Sequence, residues 1–186
     1  TLNHEQLDYS ENKNLPPLWH WLYFLPIFRL SEAGYDGHAA LGDFLPPVQL
    51  PRRMWAGSRI EFLSPLKVGN EYKKKSKIKN VTAKSGRSGD LVFVTVSHKV
   101  SNGSTVCINE EHDIVYREKA TSSSVSAKLI EAPKEFDFSI DINPDPVLLF
   151  RYSALTFNGH RIHYDHPFCT GPVSYTHLTL PTSRSV

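Results

Sequence analysis

From Ser58 onward the chain falls into period-two alternation of apolar and polar residues. Arg59-Ile-Glu-Phe-Leu alternates, Tyr72 to Ala83 alternates loosely, and Thr105 to Tyr116 alternates again. Leu91-Val-Phe-Val-Thr-Val-Ser-His-Lys-Val100 is rich in β-branched and aromatic residues, which favour strands. Between these runs stand Val68-Gly69-Asn70, Ser85 to Asp90 and Asn102-Gly103, and Asn-Gly is the strongest short hairpin signal. The pattern predicts an antiparallel meander of about four strands. In Lys73-Lys-Lys-Ser-Lys-Ile-Lys79 the lysines fall on both faces without interleaved aromatics, as on an edge strand guarded against further pairing. A nucleic-acid patch would need stacking residues as well.

The flanks lack that period. Residues 1–57 are aromatic and proline-rich. Pro16-Pro17 before Trp19-His20-Trp21 can open a short helix, because proline suits a first turn. Trp19, Trp21, Tyr23 and Phe24 read as core or tunnel wall. Gly34 to Gly42 reads as loop. Phe44 to Arg53, with three prolines, cannot be a central strand and is expected as an extended surface segment. Downstream, Ala120 to Ser126 is a Ser-rich linker, and Phe136 to Ile142 alternates as a new strand. Asn143-Pro-Asp-Pro146 opens a helix expected over Val147–Thr156, and Asn158-Gly159 is expected to end it.

Composition narrows the classes. The chain has 186 residues, 40% apolar, enough for one domain or one and a fraction with a real core. A net charge of +2 gives no reason to expect nucleic acid or an anionic membrane as partner. Cys107 and Cys169 are too few for a disulfide framework and fit a reducing compartment. The glycosylation sequons at Asn80 and Asn102 read as chance. Leu15 to Leu30 is too broken by proline and charge to cross a bilayer, so no membrane span is expected. The N-terminus lacks signal-peptide features and a Met, so an upstream part is expected to be missing.

The chemistry concentrates in Asn158-Gly-His160-Arg161-Ile-His163-Tyr-Asp165. Two readings are open on residue types alone: a polar surface loop, or a metal site using His160, His163 and Asp165. The spacing is not the helical His pair of a zincin, so no metal is expected. Ser153 lies inside the predicted helix without an elbow motif and is no nucleophile.

Phe150 to Asp165 resembles the MaoC-like hot dog-fold dehydratases, in particular the hydroxyacyl-thioester dehydratase type 2 and mesaconyl- (itaconyl-) CoA hydratase group. Pro17 to Phe24, Gly42 to Gly57, Lys84 to Val94 and Glu111 to Arg117 resemble the N-terminal half of the same group. The resemblance implies an α+β hot dog fold, an antiparallel sheet wrapped on a helix. It places a non-catalytic domain at 1–118, which helps form an acyl tunnel, a linker at 119–132, and the start of a catalytic domain at 133–172. It implies a hydro-lyase that adds or removes water across the α,β bond of an acyl-CoA or acyl-carrier thioester. Coenzyme A or phosphopantetheine would enter as part of the substrate, with no separate cofactor. A homodimer through the hot dog domains is the alternative to internal pairing, and the cytoplasm or the mitochondrial matrix is the implied compartment.

The resemblance also implies roles. His163 would be the acid–base residue. Asn158 stands where the wider family has Asp, and can only orient water or the thioester by hydrogen bonds. Asp165 would orient a histidine or cap a helix. His160 reads as a packed structural histidine. Arg161, and Arg52-Arg53 beside Trp55, could meet a coenzyme A phosphate or serve as surface and salt-bridge residues. After Pro172 the family pattern stops, and 173–186 resembles translated adapter sequence. As written, the chain is therefore expected to show little or no activity, and a non-catalytic thioester-binding or dimerisation module is the competing reading.

Overall fold

A computed structural model describes residues 9–86, 89–118, 135–137 and 145–170. The expected linker, all but the start of the strand expected at 136–142, and the tail from 173 lie outside the described residues. Four strands are present: β1 (Arg52–Phe62), β2 (Lys73–Gly86), β3 (Gly89–Asn102) and β4 (Thr105–Arg117). They form one antiparallel sheet in the order β1-β4-β3-β2. The three consecutive strands β2, β3 and β4 make a meander, with Gly103 at a positive φ of 54° in the Asn102-Gly103 turn, but the expected four-strand meander is not completed, because β1 pairs with β4 and not with β2. β2 is an edge and its lysines are exposed, as expected.

β1 begins earlier than expected. Its pairing starts at Arg52, opposite Arg117. As the other edge strand it tolerates the prolines just before it, because only one side needs ladder donors. The preceding segment is also less superficial than its prolines suggest. Leu45, Val48 and Leu50 pack on the core around Val94, Val96 and Tyr116.

Strand alternation explains the core. Val94, Val96, His98 and Val100 share one face of β3, and Ile108, Glu110, His112, Ile114 and Tyr116 share the same face of β4. The register sets His98 opposite Glu110 and Val96 opposite His112. A polar band thus separates two apolar clusters, one around Leu66, Val100 and Ile108, the other around Val94, Val96 and Tyr116. The single-turn 3-10 helix Trp19–Leu22 covers the band. His20 Nε2 lies 3.1 Å from Glu110, and the Trp21 indole donates to Glu110 at 2.9 Å. Of the aromatic run expected as core or tunnel wall, Phe24 packs on the core, Trp21 is half-buried and Tyr23 is exposed, while the fully buried member of the segment is His20. The opposite face carries charge, with Arg59 paired to Glu111 and Asp113, and Lys79 paired to Glu111.

The later segment folds into α1 (Pro146–Leu155) and α2 (His166–Thr170) joined through a 3-10 turn at Arg161–His163. Asp145 caps α1 by accepting from the Leu148 N–H at 2.7 Å, and Pro146 takes the first position. The end of α1 differs from expectation. Phe157, not Asn158 or Gly159, holds the left-handed position, with φ 52°. Its N–H donates to Ala154 and the next N–H, of Asn158, donates to Ser153 at 2.8 Å, closing a Schellman-type cap. Phe157 is held there by an edge-on contact with Phe28. No helix among the described residues is long and apolar enough to cross a membrane.

Candidate active site

The polar segment 158–165 is short of regular structure, so its shape comes from side chains bonding to its own backbone. The Asn158 carboxamide oxygen accepts from the His160 N–H at 3.1 Å, a local turn of the kind Asn forms readily. His160 Nδ1 accepts from the Ile162 N–H at 3.1 Å and thereby starts the 3-10 turn. That bond leaves the proton of a neutral His160 on Nε2. Asp165 Oδ1 accepts from the Phe168 N–H at 3.0 Å and caps α2. Its other oxygen takes two donors from Arg161, at 2.9 and 2.7 Å.

These contacts assign positions to the residues singled out in sequence. Asp165 is a helix cap and the partner of Arg161, and its carboxylate bonds neither His160 nor His163. Arg161 is not a free cation awaiting phosphate. Its guanidinium stacks on Phe168 at 4.5 Å and on Tyr35 at 5.4 Å, and donates to the Tyr35 carbonyl. Arg53 pairs with Asp36 at 3.4 Å. Arg52, next to it on β1, projects to the opposite face, so the two arginines do not form one site. Trp55 is half exposed and donates to Ser58 instead.

Within the 158–165 segment His163 carries an unpartnered ring nitrogen. Its Nδ1 is buried and has no hydrogen-bond partner among the described residues. An unsatisfied buried nitrogen costs free energy, and such exceptions call for an explanation. Burial, reinforced by the nearby His38, lowers the His163 pKa below its usual value. The His160 ring stands 5.9 Å away. Burial, with His38 second, pulls His160 down to about 3. Both imidazoles are therefore neutral near pH 7.

Sequence reasoning missed the other side of this site, which comes from the loop read only as glycine-rich. Its Asp36-Gly37-His38 crosses over the 158–165 segment. The Arg161 N–H donates to the Asp36 carbonyl at 2.9 Å. The His38 ring meets His160 edge to face at 4.4 Å. Asp36 Oδ1 accepts from the His38 N–H at 3.1 Å and Oδ2 lies 3.3 Å from His38 Nδ1. Burial opposes ionisation of Asp36, but His38 and Arg53 outweigh it and hold the carboxyl well below its usual range. The signal in the sequence was the spacing of an acid and a histidine around a glycine, which no local pattern links to residue 160.

Donor atoms of Asp36, His38 and His160 lie within 4.8 Å of one another. The atom types suit a divalent metal, but Arg53 already neutralises the carboxylate, so the set is a hydrogen-bonded cluster and is not assigned as metal ligands. A cavity of about 340 Å³, lined by Leu15, Pro16, Phe62, Leu66 and Ile108 among others, lies elsewhere. It adjoins Phe62, whereas Arg53 stands at the other end of β1, roughly 30 Å away at strand rise.

Comparison with known proteins gives these residues a context. The family model for hydroxyacyl-thioester dehydratase type 2 matches residues 18–179. The chain is 47% identical over 166 residues to a mesaconyl-C(4)-CoA hydratase of Chloroflexus aurantiacus, covering 89% of this chain and 59% of that protein. It is 27% identical over 194 residues to the mitochondrial hydroxyacyl-thioester dehydratase type 2 of Schizosaccharomyces pombe, covering 90% and 63%. The chain thus spans about three fifths of the length of these curated relatives. Among solved structures, a MaoC-like dehydratase from Phytophthora capsici matches with a TM-score of 0.46 and 19% identity over 81% of this chain and 51% of that one. The antiparallel sheet and short helices of the described residues are of the α+β class expected from sequence, and by its match through residues 18–179 the chain belongs to the hydroxyacyl-thioester dehydratase type 2 family.

Proposed function

We propose that the protein carrying this chain adds or removes water across the α,β bond of an acyl-CoA or acyl-carrier thioester. The observation that carries the reading is a family match that runs through the whole of residues 158–165, joined to the buried Nδ1 of a neutral, half-buried His163, which has no partner among the described residues. In hydration His163 takes a proton from water as the oxygen attacks the β-carbon, and that proton passes on to the α-carbon as the enolate collapses. In dehydration His163 takes the α-proton and passes it to the β-hydroxyl, which leaves as water. Asn158, whose oxygen is engaged by the His160 N–H, keeps its amide donors to orient water or the thioester. Backbone N–H groups at a helix N-terminus would polarise the carbonyl and so acidify the α-carbon.

This reading needs no cofactor, since coenzyme A or phosphopantetheine arrives with the substrate. It divides the chain into a non-catalytic hot dog domain over 1–118, a linker over 119–132 and the start of a catalytic hot dog domain over 133–172. Pairing of hot dog domains, internal or in a homodimer, goes with that division. A buried free Cys107 thiol suits the cytoplasm or the mitochondrial matrix.

The test uses a protein of the relatives' full length that contains this chain. Hydration of enoyl-CoA and mesaconyl thioesters is followed by loss of the enoyl absorbance. His163→Ala is expected to cut turnover on the order of a hundredfold or more. No turnover by the parent on any enoyl thioester overturns the function, and unchanged turnover by the variant overturns the role of His163.

A further inference from the structure

We propose that Asp36 and His38 of the glycine-rich loop are positioning residues of this site, an Asp–His pair that seats against the His160 ring and holds the His160–His163 segment in place. The inference rests on the hydro-lyase reading and names residues it lacks. Within the 158–165 segment no acid is available to a histidine. Asn158 cannot ionise, and both oxygens of Asp165 are taken by Arg161 and the Phe168 N–H. The carboxylate that faces the imidazoles comes from Asp36, fixed in place by the His38 N–H and by Arg53.

The loop is built to deliver it. The Asp36 carbonyl is bonded to the Arg161 N–H, the Tyr35 carbonyl to the Arg161 side chain, and the Tyr35 ring to Phe168 at 5.3 Å. Gly37 and Gly159 approach so closely that a side chain at either would meet backbone of the other. The His38 ring then sits on His160, and its charge state is felt by both His160 and His163. The groups that face the pair are Arg53 from β1, Tyr116 from β4, and His160 and His163 from the later segment.

The signs are opposite for the two members, which separates this role from a merely structural one. A proton on His38 opposes a second proton on His163, so removing His38 makes His163 easier to protonate. The Asp36 carboxylate favours the imidazolium form of His160, so removing its charge makes His160 harder to protonate. In the full-length protein, Asp36→Asn is expected to move the His160 titration to lower pH, and His38→Asn to move it, together with the His163 titration, to higher pH, each by several tenths of a unit or more. Asp36→Glu, which keeps the charge, should bring the His160 titration back toward the parent. Both titrations are read by NMR of the imidazoles and need no turnover, and in the active enzyme the acidic limb of the kcat/KM profile follows His163. A parent without activity whose His160 titration still shifts in opposite senses would sink the hydro-lyase reading alone. A His160 titration that stays where the parent has it, or that moves in the same sense in both variants, overturns the inference. Circular dichroism on each variant, with His38→Gln as a second choice at that position, confirms that folded protein is being compared.

Discussion

Gly37 and Gly159 cross with no room for a methyl group on either. A Cβ on Gly37 would lie 2.1 Å from the Gly159 carbonyl oxygen, and one on Gly159 would lie 2.8 Å from the Gly37 oxygen. Both obstacles are backbone, so neither can rotate away. Gly37 also has φ +86°, where an L side chain is strained. Gly159→Ala is expected to destabilise by roughly 1–3 kcal/mol and Gly37→Ala by roughly 2–5 kcal/mol, overpacking and strain adding in the second case. Chemical denaturation measures both. An alanine tolerated at both positions without loss would mean that the loop does not seat on the 158–165 segment.

The buried polar band of the sheet predicts acid lability. Burial, with His112 second, lowers His98 to about 4, and its Nδ1 is 2.7 Å from the Ser76 hydroxyl. The unfolded chain therefore binds a proton below pH 6.5 that the native state refuses until about pH 4. Stability falls with pH across that window, by roughly 3 kcal/mol for His98 alone. His160, at about 3, adds in the same sense. Glu110 is held below its usual range because His112, His20 and Trp21 outweigh the cost of burial. Its contribution is present above about pH 4.5 and is lost as pH falls further. Urea midpoints should thus decline from pH 6.5 to 4 and more steeply below. His98→Asn, which can keep the bond to Ser76, should flatten the first part. An unchanged slope would remove His98 as its cause.

What was legible in sequence was whatever has a local cause. Alternation and the Asn-Gly turn gave the β2–β4 part of the meander, and Asp145-Pro146 gave the start of α1, because each depends on neighbours in the chain. The left-handed residue that ends α1 was misplaced by one or two positions. Phe157 pays its steric cost through Phe28, a contact that no window around residue 157 contains. The same holds for the site. His160 and His163 announce themselves by density in one segment. Asp36, His38 and the His20–Glu110 contact join residues from distant parts of the chain, and only the fold brings them together.

Asn158 offers a test that separates shape from proton transfer. Its oxygen accepts from the His160 N–H, and an aspartate can do the same. Asn158→Asp is therefore expected to keep stability within about 0.5 kcal/mol. Asn158→Ala loses the acceptor and should cost about 1 kcal/mol, as at a helix cap. Thermal melts of both variants decide this. Equal melting of the alanine variant and the parent would show that the local turn does not depend on the Asn158 oxygen.

Arg161 separates a phosphate ligand from a structural clamp. A guanidinium that grips a coenzyme A phosphate matters only for substrates that carry that phosphate. Here the guanidinium is committed within the protein, to Asp165, to the Tyr35 carbonyl and to the faces of Tyr35 and Phe168. Lysine cannot reproduce a forked donor that also stacks. Removing the clamp loosens the loop that carries His160 and His163, and small misplacements of reacting groups cost one to two orders of magnitude in rate. Arg161→Ala and Arg161→Lys in the full-length protein should therefore lower kcat/KM by about ten- to a hundredfold on a coenzyme A thioester and by the same factor on a short pantetheine thioester. A loss confined to the coenzyme A thioester would return Arg161 to phosphate binding. Equal losses on both substrates place its contribution in holding the loop against the 158–165 segment.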